Sequence, residues 1–182
     1  QDVLSPDLIE RILLPDLDQF ATPRWAALLL PHLRSRFKVV RYGVSFSSRA
    51  VRDFWQLGPA ANIVGRLLGA GGTDVIPLLL ADAYYSVVGT SSGLPFHTDT
   101  GSSFCLVSPE TPGLSFWLAL DDVSPETGGG LEVCDAPHRT ENGGQAELSC
   151  ESYSVRRGDA ILFSRYAAHR TVPWRGQSPG IR

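Results

Sequence analysis

The fold class is decided by residues 113–134, which read GLSFWLALDDVSPETGGGLEVC. Two short runs rich in apolar and aromatic residues, 113–120 and 130–134, flank a segment of turn-forming Ser, Pro and Gly residues. This pattern predicts two strands joined by a turn over 124–130. Further β-prone runs, separated by similar Gly, Pro, Asn, Asp and Ser clusters, lie at 75–88, 153–155 and 159–163. The second half of the chain is therefore predicted to consist of many short strands.

The chain before Gly72 has a helical pattern. Residues 5–7, Ser-Pro-Asp, offer an N-cap followed by proline at the first helical position, and apolar residues at 8, 9, 12 and 13 then mark one face. A second helix is predicted after Thr22-Pro23, and a third over 52–68. Helices followed by many short strands indicate an α+β fold, with a jelly-roll core and the N-terminal helices packed on one sheet. We expect one domain over 1–182, with 1–72 as a helical flank and 73–182 as the jelly-roll core.

The composition and net charge limit the classes of protein to which the chain can belong. The 182 residues, 43% of them hydrophobic, suit one globular domain with a sizeable core. A net charge of -3 gives no strong electrostatic case for a nucleic-acid partner or an anionic membrane. No apolar run approaches the roughly 20 residues that span a bilayer. The sequence alone does not indicate an oligomeric state.

Several features of the sequence indicate a cytoplasmic bacterial protein. Residues 1–7 lack the basic start and apolar stretch of a signal peptide. Cys105, Cys134 and Cys150 are odd in number and show no CxxC spacing, which favours reduced thiols over a disulfide framework. The chain has fifteen arginines and one lysine, a ratio typical of a GC-rich bacterial genome.

His97-Thr98-Asp99 is the candidate site for chemistry. A histidine and a carboxylate at i and i+2 on an extended segment point to the same side, and Gly93 and Gly101 place this pair at a strand end beside a loop. One later histidine would complete a 2-His-1-carboxylate facial triad, which binds Fe(II) and leaves three coordination positions open. The other histidines are His32, His138 and His169.

The order of motifs after residue 82 strengthens this interpretation. His97-Thr98-Asp99 is followed by the run FWLALDD at 116–122, the segment ETGGGL at 126–131, the segment GDAILF at 158–163, then His169 and Arg182. This ordered series resembles the phytanoyl-CoA dioxygenase-like family of Fe(II)/2-oxoglutarate-dependent oxygenases. The resemblance covers about residues 82–182, and it implies a double-stranded β-helix, which is the jelly-roll core predicted above.

The resemblance implies that His97, Asp99 and His169 are the catalytic iron ligands, with Fe(II), 2-oxoglutarate and O2 as cofactor and co-substrates. In that family 2-oxoglutarate is oxidatively decarboxylated to succinate and CO2 while an unactivated C–H bond of a small molecule is hydroxylated. Related halogenases replace the carboxylate ligand with a small residue, so Asp99 favours hydroxylation over halogenation. His138 corresponds to a histidine that shapes a loop without binding the metal.

Three further residues are implied as contacts of 2-oxoglutarate. Arg182 resembles the arginine that pairs with the distal carboxylate, a task that suits the planar guanidinium fork. It lies 13 residues after His169, where the family spacing is nearer 11, so Arg175 is an alternative. Thr171 matches the hydroxyl position that assists, and Trp117 is expected to wall the co-substrate pocket.

Substrate contacts are predicted from position and charge. Tyr84 and Tyr85 lie on the strand before the metal loop, and Tyr85 is the candidate contact. Arg165 lies at or just beyond the strand that leads to His169, so it is a candidate for binding an anion. A carboxylated small molecule, such as an amino acid or an acylated amino acid, is therefore a plausible substrate.

Two other functions compete with this one. A cupin-like metal enzyme that does not use 2-oxoglutarate would share the barrel, but cupins usually supply more histidines. A non-catalytic jelly-roll binding protein would not require the three ligands and the arginine together. Asp121 and Asp122, although adjacent, are expected to serve turns rather than catalysis.

Overall fold

The computed structural model describes residues 7, 9, 39–69, 82–87, 93–99, 111, 113–135, 149–175 and 180–181. The helices are α1 (Val44–Ser47), α2 (Arg49–Leu57) and α3 (Pro59–Leu67). The strands are β1 (Val39–Tyr42), β2 (Ala83–Val87), β3 (Leu94–His97), β4 (Leu114–Leu118), β5 (Leu131–Cys134), β6 (Cys150–Ser152), β7 (Ala160–Ser164), β8 (His169–Thr171) and β9 (Gly180–Ile181).

The strands form three antiparallel sheets. One has the order β1-β2-β9, the second has the order β3-β8-β5-β6, and the third is the pair β4-β7. Because strands 3 and 8, and 5 and 8, are distant in sequence, long-range pairing rather than simple hairpins organises the sheets. The turn predicted over 124–130 is present, with an antiparallel bridge between Ser124 and Gly128.

The described helices pack on one face of the β4–β7 sheet. Phe54 and Trp55 of α2 contact Phe116 of β4 with ring centroids 6.1 and 5.3 Å apart, both edge to face. Phe116 and Leu118 pack against the buried cluster that also holds Val44, Ala60, Tyr84 and the fully buried Ile9. Side chains alternate along a strand, so Ser115 and Trp117 point the other way.

We call that other side the inner face of the β4–β7 sheet. It carries Ser115 and Trp117 of β4, together with their register partners Phe163 and Ile161 of β7. Directly opposite residues in an antiparallel pair share a face. The inner face is thus the side of the sheet turned away from the helices, and it is where the candidate site lies.

Two predictions about the helical flank are wrong in detail. The single helix expected over 52–68 is two helices, because Pro59 disfavours helical backbone at the preceding residue and Gly58 is extended there (φ -85°, ψ -174°). The first of the two begins earlier, at Arg49, since the Ser48 side chain accepts a hydrogen bond from Val51 N–H at 3.1 Å. Residues 39–42 form a strand rather than part of a helical region.

The prediction of reduced thiols is wrong for two of the three cysteines. Cys134 of β5 and Cys150 of β6 are directly opposed in register and joined by a disulfide. The strand expected at 153–155 is instead Cys150–Ser152, with Val155 in an isolated bridge to Val123. Apart from residues 7 and 9, the helices predicted before residue 38 fall outside the described residues, as do His32, Cys105, His138 and Arg182.

Candidate metal centre

The β3–β8 pair brings two of the predicted ligands together. His97, the last residue of β3, is opposite His169, the first residue of β8, and their ring centroids lie 4.2 Å apart. The register shifts between Leu94 and His97, since Leu94 faces Thr171 whereas His97 faces His169. This irregularity adds one residue to β3, and it lets Leu94 and His97 both meet partners on the face of β8 that carries His169.

Asp99 completes the cluster from the turn after β3. Its N–H donates to the carbonyl oxygen of Arg165 at 3.1 Å, which fixes the turn against the end of β7. Its Oδ1 lies 3.7 Å from His169 Nε2 and 4.0 Å from His97 Nε2. One donor atom from each of the three residues lies within 4.8 Å of the other two.

The tautomers of both histidines are set by main-chain carbonyl groups. His97 Nδ1 lies 2.9 Å from the carbonyl oxygen of Pro95, and His169 Nδ1 lies 3.1 Å from that of Ala167. Because a carbonyl oxygen can only accept, the neutral form of each imidazole carries its hydrogen on Nδ1 and keeps a lone pair on Nε2. Both lone pairs are therefore available on the nitrogens nearest Asp99, which is the arrangement that a metal ion requires.

The surroundings of His169 favour its neutral form, which is the form that binds a metal ion. The residue is 6% exposed, and its ring packs against Phe163 at 4.7 Å between centroids. Burial lowers the pKa of His169 below its ordinary value, an effect opposed by the hydrogen bond to Ala167 and by Asp99. The neutral imidazole is the metal-binding form. The side chains of His97 and Asp99 are 41% and 39% exposed, so the cluster is open on their side.

Ser115 is a residue of the site that the sequence reasoning missed. Its hydroxyl, on the inner face of the β4–β7 sheet, donates to Asp99 Oδ2. Oδ2 is thereby occupied by the serine, while Oδ1 faces both histidines. The signal was present in the sequence, since Ser115 lies two residues before Trp117 on a predicted strand and so shares its face.

The donor set fits a divalent transition metal. Two imidazole nitrogens and one carboxylate oxygen are the facial triad of non-heme Fe(II) sites. A metal held at about 2.1 Å by donors at right angles would separate adjacent donors by roughly 3 Å. The separations of 3.7 and 4.0 Å are somewhat wider. Metal binding would therefore draw Asp99 Oδ1 closer to each Nε2 atom by about 1 Å or less.

Of the other predicted residues, Thr171, Trp117 and Tyr85 lie on described strands, and Arg165 lies in the turn directly after β7. Thr171 is two residues after His169 on β8 and so shares its face, and Trp117 is on the inner face of the β4–β7 sheet. Tyr84 is 3% exposed in the cluster packed against the helices, so Tyr85 projects from the opposite face of β2. Arg165 is 5% exposed, which places it inside the protein rather than at its surface.

The remaining predictions concern the arginine for 2-oxoglutarate and the paired aspartates. Arg182 is outside the described residues, and Arg175 is exposed, with its N–H donating to the carbonyl oxygen of Thr127 at 2.8 Å. Asp122 Oδ1 accepts from Arg157 N–H at 2.8 Å, which is the turn role expected for it. None of the described helices is long and apolar enough to cross a membrane.

Comparison with known proteins identifies similar structures but no family. No protein-family model and no curated protein matches the sequence. The fold is similar to that of the non-heme alpha-ketoglutarate-dependent carbocyclase SnoK from nogalamycin biosynthesis, with a TM-score of 0.59 and 15% identity. It is also similar to the epimerase SnoN of the same biosynthesis, with a TM-score of 0.60 and 17% identity.

A third similar structure is SnoN in complex with Fe3+, alpha-ketoglutarate and nogalamycin RO, with a TM-score of 0.58 and 17% identity. Each comparison covers 78% of this chain but only 59% of the other. The chain therefore spans less than two thirds of the length of these proteins. The similarity shows that it shares their fold.

Proposed function

We propose that this protein is an Fe(II)/2-oxoglutarate-dependent oxygenase that oxidises an unactivated C–H bond of a small molecule. The observation that carries the proposal is the convergence of His97, Asp99 and His169, in which one carboxylate oxygen of Asp99 lies 3.7 and 4.0 Å from the two Nε2 atoms. The shared fold with alpha-ketoglutarate-dependent enzymes supports it independently of the ligand residues.

The fold proposed for the whole chain is a double-stranded β-helix with N-terminal helices on one sheet. Its support is the two antiparallel layers that meet at the site, where Phe163 of β7 contacts His169 of β8. The helices α1 to α3 lie on the opposite face of the β4–β7 sheet from the candidate site. We propose that 1–182 is a single domain built in this way.

The protein's own residues would prepare the site in three ways. The carbonyl groups of Pro95 and Ala167 hold the histidine tautomers. Ser115 orients the carboxylate of Asp99. Bound Fe(II), with 2-oxoglutarate and O2, supplies an oxidant strong enough for an unactivated C–H bond, and the protein's part is to orient the substrate and exclude competing reactions.

The co-substrate would lie against β8 and the inner face of the β4–β7 sheet. We propose that Arg182 pairs with the distal carboxylate of 2-oxoglutarate, with Thr171 assisting and Trp117 forming a wall. The position of Thr171 on the same face of β8 as His169 supports this, because a ligand of the metal would reach it directly. Tyr85 and Arg165 are the proposed substrate contacts.

The reaction proposed is hydroxylation, since the metal cluster includes the carboxylate of Asp99. The similar structures are described as a carbocyclase and an epimerase, so one fold serves other oxidative outcomes. Product analysis should accordingly search for ring closure and for inversion of a stereocentre as well as for an added oxygen. The substrate proposed is a carboxylated small molecule such as an amino acid or acylated amino acid.

The test is release of labelled CO2 from 1-labelled 2-oxoglutarate in the presence of Fe(II) and ascorbate. Wild-type protein should release CO2, and one member of a panel of amino acids, acylated amino acids and fatty acids should accelerate it. His97→Ala and Asp99→Ala should reduce the release to the level without protein, while retaining the wild-type circular dichroism spectrum. Absence of release by wild type across the whole panel would remove the proposal in favour of a metal enzyme that does not use 2-oxoglutarate or a binding protein.

A further inference from the structure

Arg165 is a buried arginine in the turn directly after β7, and its main chain contacts Asp99 of the candidate metal centre. It is 5% exposed, and its N–H donates to the carbonyl oxygen of Gly113 at 3.2 Å, which extends the β4–β7 ladder by one pair. It lies two positions after Phe163, whose ring contacts His169. By strand alternation Arg165 therefore belongs to the inner face, together with Ser115.

The side chain of Arg165 can take its observed position only because the opposite residue, Gly113, has no side chain. A Cβ atom added at Gly113 would lie 2.4 Å from Arg165 Cδ, closer than the two atoms can approach. The arginine side chain therefore lies flat across the backbone of Gly113. The main chain of Arg165 is also fixed, because its carbonyl oxygen accepts the N–H of Asp99 at 3.1 Å.

No carboxylate among the described residues neutralises this guanidinium group. Arg165 Nε is buried and has no hydrogen-bond partner, and the nearest aromatic contact is the Tyr166 ring, 5.3 Å from Cζ. Arg170 on β8 is the contrast, since its Nη2 pairs with Glu132 at 2.6 Å. Burying a charge without a partner is costly, by several kcal/mol in typical cases. A bound anion would supply the missing partner.

We infer that Arg165 is the anion-binding residue of the substrate site and that it takes a carboxylate group. The inference rests on the proposed function, because the bound anion is a substrate only if the protein is an oxygenase. It makes the substrate a carboxylic acid. The edge of a guanidinium group that includes Nε presents two parallel N–H donors, which match the two oxygens of a carboxylate. Because Arg182 is the residue proposed for the distal carboxylate of 2-oxoglutarate, Arg165 is assigned to a different carboxylate, that of the substrate.

The first experiment measures acetate binding to the metal-free protein by isothermal calorimetry at constant ionic strength. Acetate is the smallest probe with the required carboxylate and a methyl group, and acetamide is its neutral match. Wild type should bind acetate and not acetamide, and Arg165→Met should weaken acetate binding by about tenfold or more, as expected for a charge-assisted hydrogen bond. Arg156→Met, at an exposed arginine, is the control and should leave acetate binding unchanged.

Two further variants keep the test independent of folding defects. Gly113→Ala retains the positive charge but displaces the stem of Arg165, so it should also weaken acetate binding. Arg165→Lys retains the charge without the planar fork, and it should bind acetate better than Arg165→Met but less well than wild type. Equal acetate affinity in wild type, Arg165→Met and Gly113→Ala would overturn the inference.

A second experiment tests whether the carboxylate bound by Arg165 belongs to the substrate or to 2-oxoglutarate. The affinity of Mn(II)-loaded protein for 2-oxoglutarate should be the same in wild type and Arg165→Met, and a parallel loss of acetate and 2-oxoglutarate binding would overturn the assignment to substrate. The failures remain distinguishable. If acetate binds at Arg165 but the protein binds no metal, the proposed function fails and the anion site stands. If metal and 2-oxoglutarate bind but Arg165 has no effect on acetate, the inference alone fails.

Discussion

Replacing Ser115 with alanine tests how the protein prepares Asp99 for a metal ion. The Ser115 hydroxyl donates to Asp99 Oδ2, and Oδ1 is the oxygen nearest both histidine Nε2 atoms. Without the hydroxyl the carboxylate, which is 39% exposed, can rotate about its Cβ–Cγ bond and hydrogen-bond to water instead. The ligand set would stay complete but would lose its orientation.

The magnitude follows from this single lost contact. Removing a hydrogen-bond partner of a metal ligand typically lowers metal affinity by about 10- to 100-fold. That range corresponds to about 1.4–2.7 kcal/mol of binding free energy. Ser115→Ala should therefore bind Mn(II), used as an air-stable substitute for Fe(II), 10 to 100 times more weakly than wild type. Ser115→Thr retains the hydroxyl and should recover most of the affinity.

The assay is an Mn(II) titration followed by electron paramagnetic resonance, in which free and bound ions are resolved. Ser154→Ala removes an exposed hydroxyl from the segment between β6 and β7, and it should bind Mn(II) like wild type. If Ser115→Ala matches wild type while His169→Ala has lost the site, then Ser115 does not orient Asp99. Equal losses in Ser115→Ala and Ser115→Thr would show instead that the position tolerates only serine for packing reasons.

Three other predictions concern stability. Reduction of the disulfide, or the double change Cys134→Ser and Cys150→Ser, should lower the free energy of unfolding by about 3 kcal/mol in a denaturant titration, as expected for a closed loop of this length. Gly128→Ala should destabilise the protein by about 1–3 kcal/mol in the same assay, because φ is +74° there and a Cβ would lie 1.8 Å from the carbonyl oxygen of Pro173. An unchanged midpoint in either case would contradict the described structure. For the metal-free protein, burial lowers the pKa of His169 from its ordinary value of 6.5, so the unfolded chain binds the proton more readily. This contribution to stability is present above pH 6.5 and is lost as the pH falls through the lowered pKa. His169→Gln should flatten that part of the stability profile measured by thermal unfolding.

The strand pattern, and the position of His97 and Asp99 at a strand end, could be predicted from the sequence for a physical reason. Alternating side chains on short strands have a fixed direction, so the runs containing Trp117 and Phe163 predicted β4 and β7 closely. The same rule placed His97 at a strand end with Asp99 just beyond it. Register across the sheet could not be predicted, because it depends on the bulge in β3 and on the long-range pairing with β8.

The features that the sequence did not reveal depend on tertiary context. The strand at 39–42 is stabilised by pairing with β2, a contact between distant residues that local propensity does not encode. The disulfide between Cys134 and Cys150 depends on the register of β5 and β6. Ser115 lay on a strand and a face that were both predicted, but only the approach of the Asp99 turn gives its hydroxyl a partner.

The central claim is that His97, Asp99 and His169 hold one Fe(II) to which 2-oxoglutarate binds. The most direct test is an anaerobic titration of the protein with Fe(II) and 2-oxoglutarate, followed by the visible absorption that a 2-oxo acid acquires when it chelates Fe(II). Wild type should develop this absorption with one equivalent of iron, and Asp99→Ala and His169→Ala, each shown to be folded, should not. Absence of the absorption in wild type, or its undiminished presence in both variants, would contradict the account.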